Sequence, residues 1–175
     1  MEYTEKDRSL LINLYEILKR LDKDNEDSYE EEIEILRSGY EIFYRNDVYE
    51  PMSREASEEV LEILEMYWDF EYAYEREDER LNNAFATFPG FCGNYEGAQL
   101  RFARFVIEKQ KKFPQLGKYV DDLNSHVPLL PFYRLMLDVW KEYPREYRSR
   151  QLKNDDVLHI IERAEKVQKS ENGHG

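Results

Sequence analysis

Apolar residues recur along this chain with the 3.6-residue period of amphipathic helices, and nowhere with the strict alternation of a half-buried strand. The first stripe is Leu10, Leu14, Ile17, Leu18 and Leu21. Thr4 and Asp7, three residues apart ahead of it, form a weak capping box that predicts where the helix opens. The polar run 22–27 ends the stripe. Ser28 with Glu31 predicts the cap of a second helix, whose inner face reads Tyr29, Ile33, Leu36, Tyr40 and Phe43. Gly39 interrupts that face at about 1 kcal/mol relative to alanine, which predicts a close helix crossing or a break.

Pro51 and Ser53 predict the start of a third helix running to about Arg80. On a helical wheel its apolar side chains, from Val60 through Tyr67, Trp68 and Phe70 to Tyr72 and Tyr74, span about 200°, the arc of a central helix touched from two sides. The remaining narrow face is acidic: Glu58, Glu62, Glu65 and Asp69. A fourth helix is predicted from an Asn94 cap to about Lys112, with Leu100, Phe102, Ala103, Phe105, Val106 and Ile107 inward and Arg101, Arg104, Lys111 and Lys112 on the opposite side. Residues 114–130 read as a loop with a short turn near 118–123. Pro131 suits the first turn of a fifth helix, whose stripe (Phe132, Leu135, Met136, Val139, Trp140, Tyr143) stops at Pro144. Asn154 opens the last helix, with Val157, Ile160, Ile161 and Ala164 inside, and Lys166 and Lys169 near its end as the macrodipole favours. The expected fold is all-α, one domain of about six main helices around one core over residues 1–170, with a frayed tail at 171–175.

Composition supports a packed helical domain. The 175 residues are 41% hydrophobic and 14% aromatic, which argues against disorder despite 36% charged residues. A single cysteine, Cys92, excludes an internal disulfide and a cysteine-based zinc site. Lacking a long apolar run or signal-like start, the sequence predicts a cytoplasmic protein with no membrane contact. The net charge of −13 argues against direct nucleic-acid binding, which needs Lys and Arg against phosphates. The charge is unevenly spread: residues 1–80 hold 26 acids and 10 bases, residues 81–175 hold 12 acids and 15 bases. The halves are complementary, to each other or between copies of the chain.

The segment TFPGFCGNYEG (87–97) invites a catalytic reading, with three glycines and the one cysteine. Its G-x-x-G-x-x-x-G spacing matches neither the dinucleotide nor the P-loop pattern, and no lysine follows to meet phosphates. Pro-Gly is turn chemistry, and Phe88, Phe91 and Tyr95 are apolar anchors, so a structural corner is expected. Cys92 as a nucleophile would need a base, for which His126 is the sole loop candidate; an inert thiol is expected instead.

Three segments, EVLEILEMYWDF, TFPGFCGNYEGAQLRFARFVI and FYRLMLDVWKEYPREYRSRQL, resemble the YfbU family of bacterial proteins. The resemblance runs in order from about Thr4 to Glu165. Its most specific pieces are Glu65-Met66-Tyr67, Gly90-Phe91, Met136-Leu137 with Val139-Trp140, and Pro144-Arg145 with Tyr147. Position 92 departs from the pattern, where an acidic residue is expected and cysteine stands. The resemblance implies a helical cytoplasmic domain without an assigned reaction, cofactor or catalytic residue. It also implies that some relatives carry a short N-terminal DNA-binding segment; this sequence begins almost at its first helix and is not expected to include one.

Other chemistry is thin. Asp156 and His159 have the i, i+3 spacing of a di-iron ligand pair, but that site needs the pair twice plus further inward carboxylates, and His159 falls opposite the apolar face. No metal and no cofactor are expected. Glu71 and Glu75 lie within the aromatic arc of the third helix and are expected to pair with arginines or to lie beyond the packed part. Arg145, Tyr147, Arg148, Arg150 and Lys153 gather just before the last helix, as a salt-bridged loop or as a contact for an anion or acidic peptide. Two functions follow. The first is a non-enzymatic interaction or regulatory domain with an unidentified protein partner, self-associating as a homodimer in which Glu58, Glu62, Glu65 and Asp69 meet Arg101, Arg104 and Lys111. The second is a small-ligand sensor or unrecognised enzyme, which would show a cavity lined by aromatics and one or two convergent polar groups.

Overall fold

The computed structural model describes residues 3–44, 49–73, 79–81, 85–116 and 122–172, the side chains of 150, 171 and 172 excepted. The described residues form seven α-helices and no strand: α1 (Glu5–Leu21), α2 (Glu26–Ser38), α3 (Arg54–Ala73), α4 (Gly97–Arg104), α5 (Leu130–Lys141), α6 (Arg145–Gln151) and α7 (Asn154–Asn172). The contacts group into two compact units, residues 1–51 and 52–175.

The first unit is a helical hairpin. The Thr4 box is present in full: Asp7 donates its backbone N–H to Thr4 Oγ1 at 3.2 Å, and Thr4 N–H reaches Asp7 Oδ2 at 2.9 Å. This contact favours the charged carboxylate, so Asp7 is held below the ordinary acidic range. α2 begins two residues before Ser28, at Glu26, because a 3₁₀ turn over Lys23–Asn25 leads directly into it. Gly39 is the break that the sequence predicts. It takes a left-handed φ of 70°, and Tyr40 N–H closes the end on the Ile35 carbonyl at 3.0 Å. Ile33 and Leu36 are buried, whereas Tyr40 and Phe43, beyond the stop, are exposed. An ion pair between Lys19 and Glu30, and a ring contact of Tyr15 with Tyr29 at 6.1 Å, tie the antiparallel helices.

The second unit is built on α3, which touches α4, α5, α6 and α7. Ser53 Oγ accepts the Ala56 N–H at 3.1 Å and caps the helix as expected. Residues 74–78, with Tyr74 and Glu75, lie outside the described residues, and Arg80 sits in a 3₁₀ turn rather than in a continuing helix. Tyr67 lies at the centre, edge-on to Phe70 and Tyr133 at 5.4 and 5.7 Å and tilted against Phe88 at 5.2 Å. Such pairs add about 0.5–1.5 kcal/mol each beyond area burial. Burial without a strong hydrogen-bond partner, its hydroxyl reaching only Met136 Sδ at 3.9 Å, pushes the Tyr67 phenol well above its ordinary value.

α4 starts at Gly97, later than the Asn94 cap predicts, because Cys92–Glu96 first close a turn through Glu96 N–H to the Cys92 carbonyl at 2.7 Å. It runs into a π turn over Phe105–Lys109. Lys112 N–H bonds the Val106 carbonyl, and Lys111 takes a left-handed φ of 58° where the helix stops. Val157, Ile160, Ile161 and Ala164 are buried on α7 as the stripe predicts. The proposed turn near 118–123 falls largely, and the tail 173–175 wholly, outside the described residues.

Candidate functional site

The corner at 87–97 is a piece of framework. Gly90 has φ of 93°, and a Cβ there would stand 2.0 Å from the Leu123 carbonyl oxygen, so only glycine fits. The close approach lets Phe91 donate to Leu123 at 3.0 Å and Ser125 donate back to Phe91 at 3.3 Å. Tyr133 donates its hydroxyl to the Gly90 carbonyl at 2.5 Å, and its phenol is raised, first by burial and then by Tyr67 and Glu96. Phe88, Phe91 and Cys92 are fully buried, whereas Tyr95, expected as an anchor, is 79% exposed.

Sequence reasoning missed Glu96, the residue that ties this corner to α5. Its buried carboxylate accepts three backbone N–H groups: Cys92 at 2.9 Å, Leu129 at 2.8 Å and Leu130 at 2.6 Å. The last two belong to the start of α5, whose opening N–H groups have no partner within the helix. A carboxylate from another segment thus caps α5 and favours its dipole. One signal for it stands in the sequence, for Glu96 is the only acid in the whole stretch 81–107.

With α5 so anchored, α3, α5 and α6 enclose a cleft of about 710 Å³. The segment 144–153, which the sequence leaves as a loop, is largely the helix α6, opened by Pro144. Arg148 lays its guanidinium over the Trp140 ring, 3.9 Å from the centroid, a contact worth about 0.5–1 kcal/mol and more where desolvated. Trp140 Nε1 and Arg148 Nε are both buried and have no hydrogen-bond partner among the described residues. Trp68 and Phe113 form another wall, edge to face at 5.7 Å. Across from the arginines stand Glu62, Glu65 and Asp69 of α3. Lys141 neutralises Glu62 at 2.6 Å, and Arg134 clamps Glu59 in a two-pronged pair at 2.7 and 3.0 Å.

The structure therefore brings Glu62, Glu65 and Asp69 together with Arg145 and Arg148, residues that the sequence assigns to two separate sites. Asp69 is buried rather than on an open acidic face, and Glu58 pairs with Arg54 at 2.7 Å. Tyr147 stays apart from the cleft chemistry, since its hydroxyl donates to Asp156 at 2.8 Å. Lys153 also gives its N–H to Asp156, at 2.9 Å, so the start of α7 is served by its own carboxylate. Arg150's side chain lies outside the described residues. Arg104 donates to the Asp122 carbonyl, and Arg101 and Lys111 are exposed. Glu71 is half-buried and has a partner, and His159 is exposed.

A second candidate surface belongs to the first unit. α1 has no buried residue, and Leu10, Leu14, Ile17 and Leu21 are 60%, 49%, 55% and 77% exposed. These four follow a 4–3–4 spacing, the seam of a heptad. Among the described residues no group of three or more His, Cys, Asp or Glu side chains is placed to hold a metal ion, and no helix is long and apolar enough to cross a membrane.

Comparison with known proteins agrees with the resemblance. The UPF0304 protein MJECS11 of Methanocaldococcus jannaschii is 37% identical over 166 residues, covering 89% of this chain and 96% of the relative. The YfbU domain matches residues 1–163, the first helical unit and most of the second, and the chain belongs to the YfbU family.

Proposed function

We propose that this chain is a non-enzymatic interaction domain of the cytoplasm that pairs with a second copy of itself and presents the pair to a protein partner. The exposed stripe on α1 carries the reading. A helix that leaves four large aliphatic residues in water at heptad spacing gains about 1.5–3 kcal/mol per side chain when they are fully covered. The stripe is self-complementary. In an antiparallel two-fold pairing Leu14 faces Ile17 of the other copy and Leu10 faces Leu21, the a-against-d layers of a helix pair. The exposed charges of these stripes, Glu58, Glu65, Arg101 and Lys111, would set orientation and encounter rate more than affinity. Sedimentation at micromolar concentration tests this. The expected mass is twice 21.3 kDa, and Leu14→Glu with Ile17→Glu should return it to the single-chain value with ellipticity intact. A single-chain mass at every concentration and salt would remove the pairing. A dimer indifferent to the α1 changes but broken by Arg101→Glu with Arg104→Glu would move the interface to the charged stripes.

The cleft supports a second reading, a sensor of a small ligand. Its volume lies within the range of about 300–1,000 Å³ typical of ligand sites, and aromatic walls with convergent charges are the usual lining.

A further inference from the structure

We propose that the cleft of α3, α5 and α6 is a receptor for a small aromatic zwitterion, a molecule with a carboxylate, a neighbouring ammonium and a flat apolar body, as in an aromatic α-amino acid. The proposal rests on the ligand-sensing reading and names the ligand class. Its first support is that unpaired charges of both signs line one cleft. Arg145 and Arg148 have no carboxylate partner among the described residues, and Glu65 across the cleft has no cation, although Glu62 beside it is paired with Lys141. Opposite charges within reach would have closed on one another, as Lys141 and Glu62 do. Held apart on separate helices, they fit a molecule that carries both complements.

The second support is preorganisation. The Arg148 guanidinium is stacked 3.9 Å over the Trp140 ring, which holds its plane fixed at the cleft wall. A carboxylate accepts charge-assisted bonds from a guanidinium held in this way. The third is the apolar surface of Trp68 and Phe113, which suits a flat ring. A phosphate dianion would suit the arginines alone, but Glu65 on the same cleft repels it.

Trp68 and Trp140 are the chain's two tryptophans, and both line the cleft, so indole fluorescence reports on it directly. The full chain is titrated with L-phenylalanine, with 3-phenylpropionate, which lacks the ammonium, and with phenethylamine, which lacks the carboxylate. L-Phenylalanine should give a saturable change, and each singly charged probe should bind at least about tenfold more weakly. Arg145→Gln should weaken L-phenylalanine and 3-phenylpropionate while sparing phenethylamine, and Glu65→Gln should weaken L-phenylalanine and phenethylamine while sparing 3-phenylpropionate. Both residues are exposed, so the variants keep the fold. If 3-phenylpropionate binds as tightly as L-phenylalanine, the zwitterion assignment is overturned while the ligand reading stands. If no probe gives a saturable change, both fall.

Discussion

α1 and α3 are amphipathic helices of similar length, 17 and 20 residues, yet α1 buries no residue and α3 buries eight. Both carry large aliphatic and aromatic side chains at helical spacing. The difference lies in their neighbours: within its hairpin α1 packs on α2 alone, whereas α3 is flanked by four helices. An apolar stripe records that a helix has something to cover, and the tertiary arrangement decides whether that cover comes from the same unit. Where it does, aromatic burial makes a rigid framework. Where it does not, the stripe remains available for association.

Gly39 and Gly90, the two left-handed glycines among the described residues, give the sharpest contrast. Gly90→Ala would drive a Cβ into the Leu123 backbone at 2.0 Å. We expect the second unit to lose on the order of 4 kcal/mol or more, or not to fold, a loss beyond that of ordinary substitutions. Gly39→Ala meets only the flexible tip of Arg8 at 2.9 Å, so its cost should be the left-handed penalty of about 1–2 kcal/mol. Denaturant melts followed by tryptophan fluorescence read the second unit, since both tryptophans lie there, and circular dichroism reads both units. Equal losses would mean that the corner yields.

Tyr67→Ala should lower stability by about 3–5 kcal/mol, while Leu14→Ala should change the dissociated chain by less than about 0.5 kcal/mol and weaken only the pairing. A comparable unfolding loss from Leu14→Ala at high dilution would show that α1 is covered within the chain. Glu96→Gln should cost about 1–3 kcal/mol, because an amide serves the three N–H groups less well than a carboxylate and turns a donor toward one of them. An unchanged midpoint would show that water can replace the carboxylate.

The smallest effect at neutral pH is an alkaline one. Tyr67 and Tyr133 have folded values raised above the 10.0 of an open phenol. Their neutral forms favour the fold, so their contribution is complete below pH 10 and falls as pH rises above it, where the unfolded chain ionises first. Phenolate absorbance should show both titrating only together with unfolding, and Tyr67→Phe should shift that unfolding to higher pH. Early titration of all fourteen tyrosines in a folded protein would contradict the central packing.

Helix positions were largely legible because periodicity and caps act over one or two turns. Thr4, Ser53, Gly39 and Pro131 all do what their local chemistry dictates. Ser28 and Asn94 misled because a preceding tight turn moved the helix start in each case. The basic segment at 144–153 was legible as a charge cluster but not as a helix, since its seven residues carry no apolar stripe to register against.

The cleft was not legible, because Glu65 and Arg145 are eighty residues apart and no short-range rule brings them together. By itself the sequence determined the all-α class, the stripes, the corner at Gly90 and the uneven charge, all consequences of local sterics and residue chemistry. Only the tertiary structure decided which stripe is covered, that Glu96 caps a helix beginning some thirty residues later, and which charges share a cleft. Those outcomes depend on packing between distant segments, where burial and the need to satisfy every buried polar group select one arrangement among many.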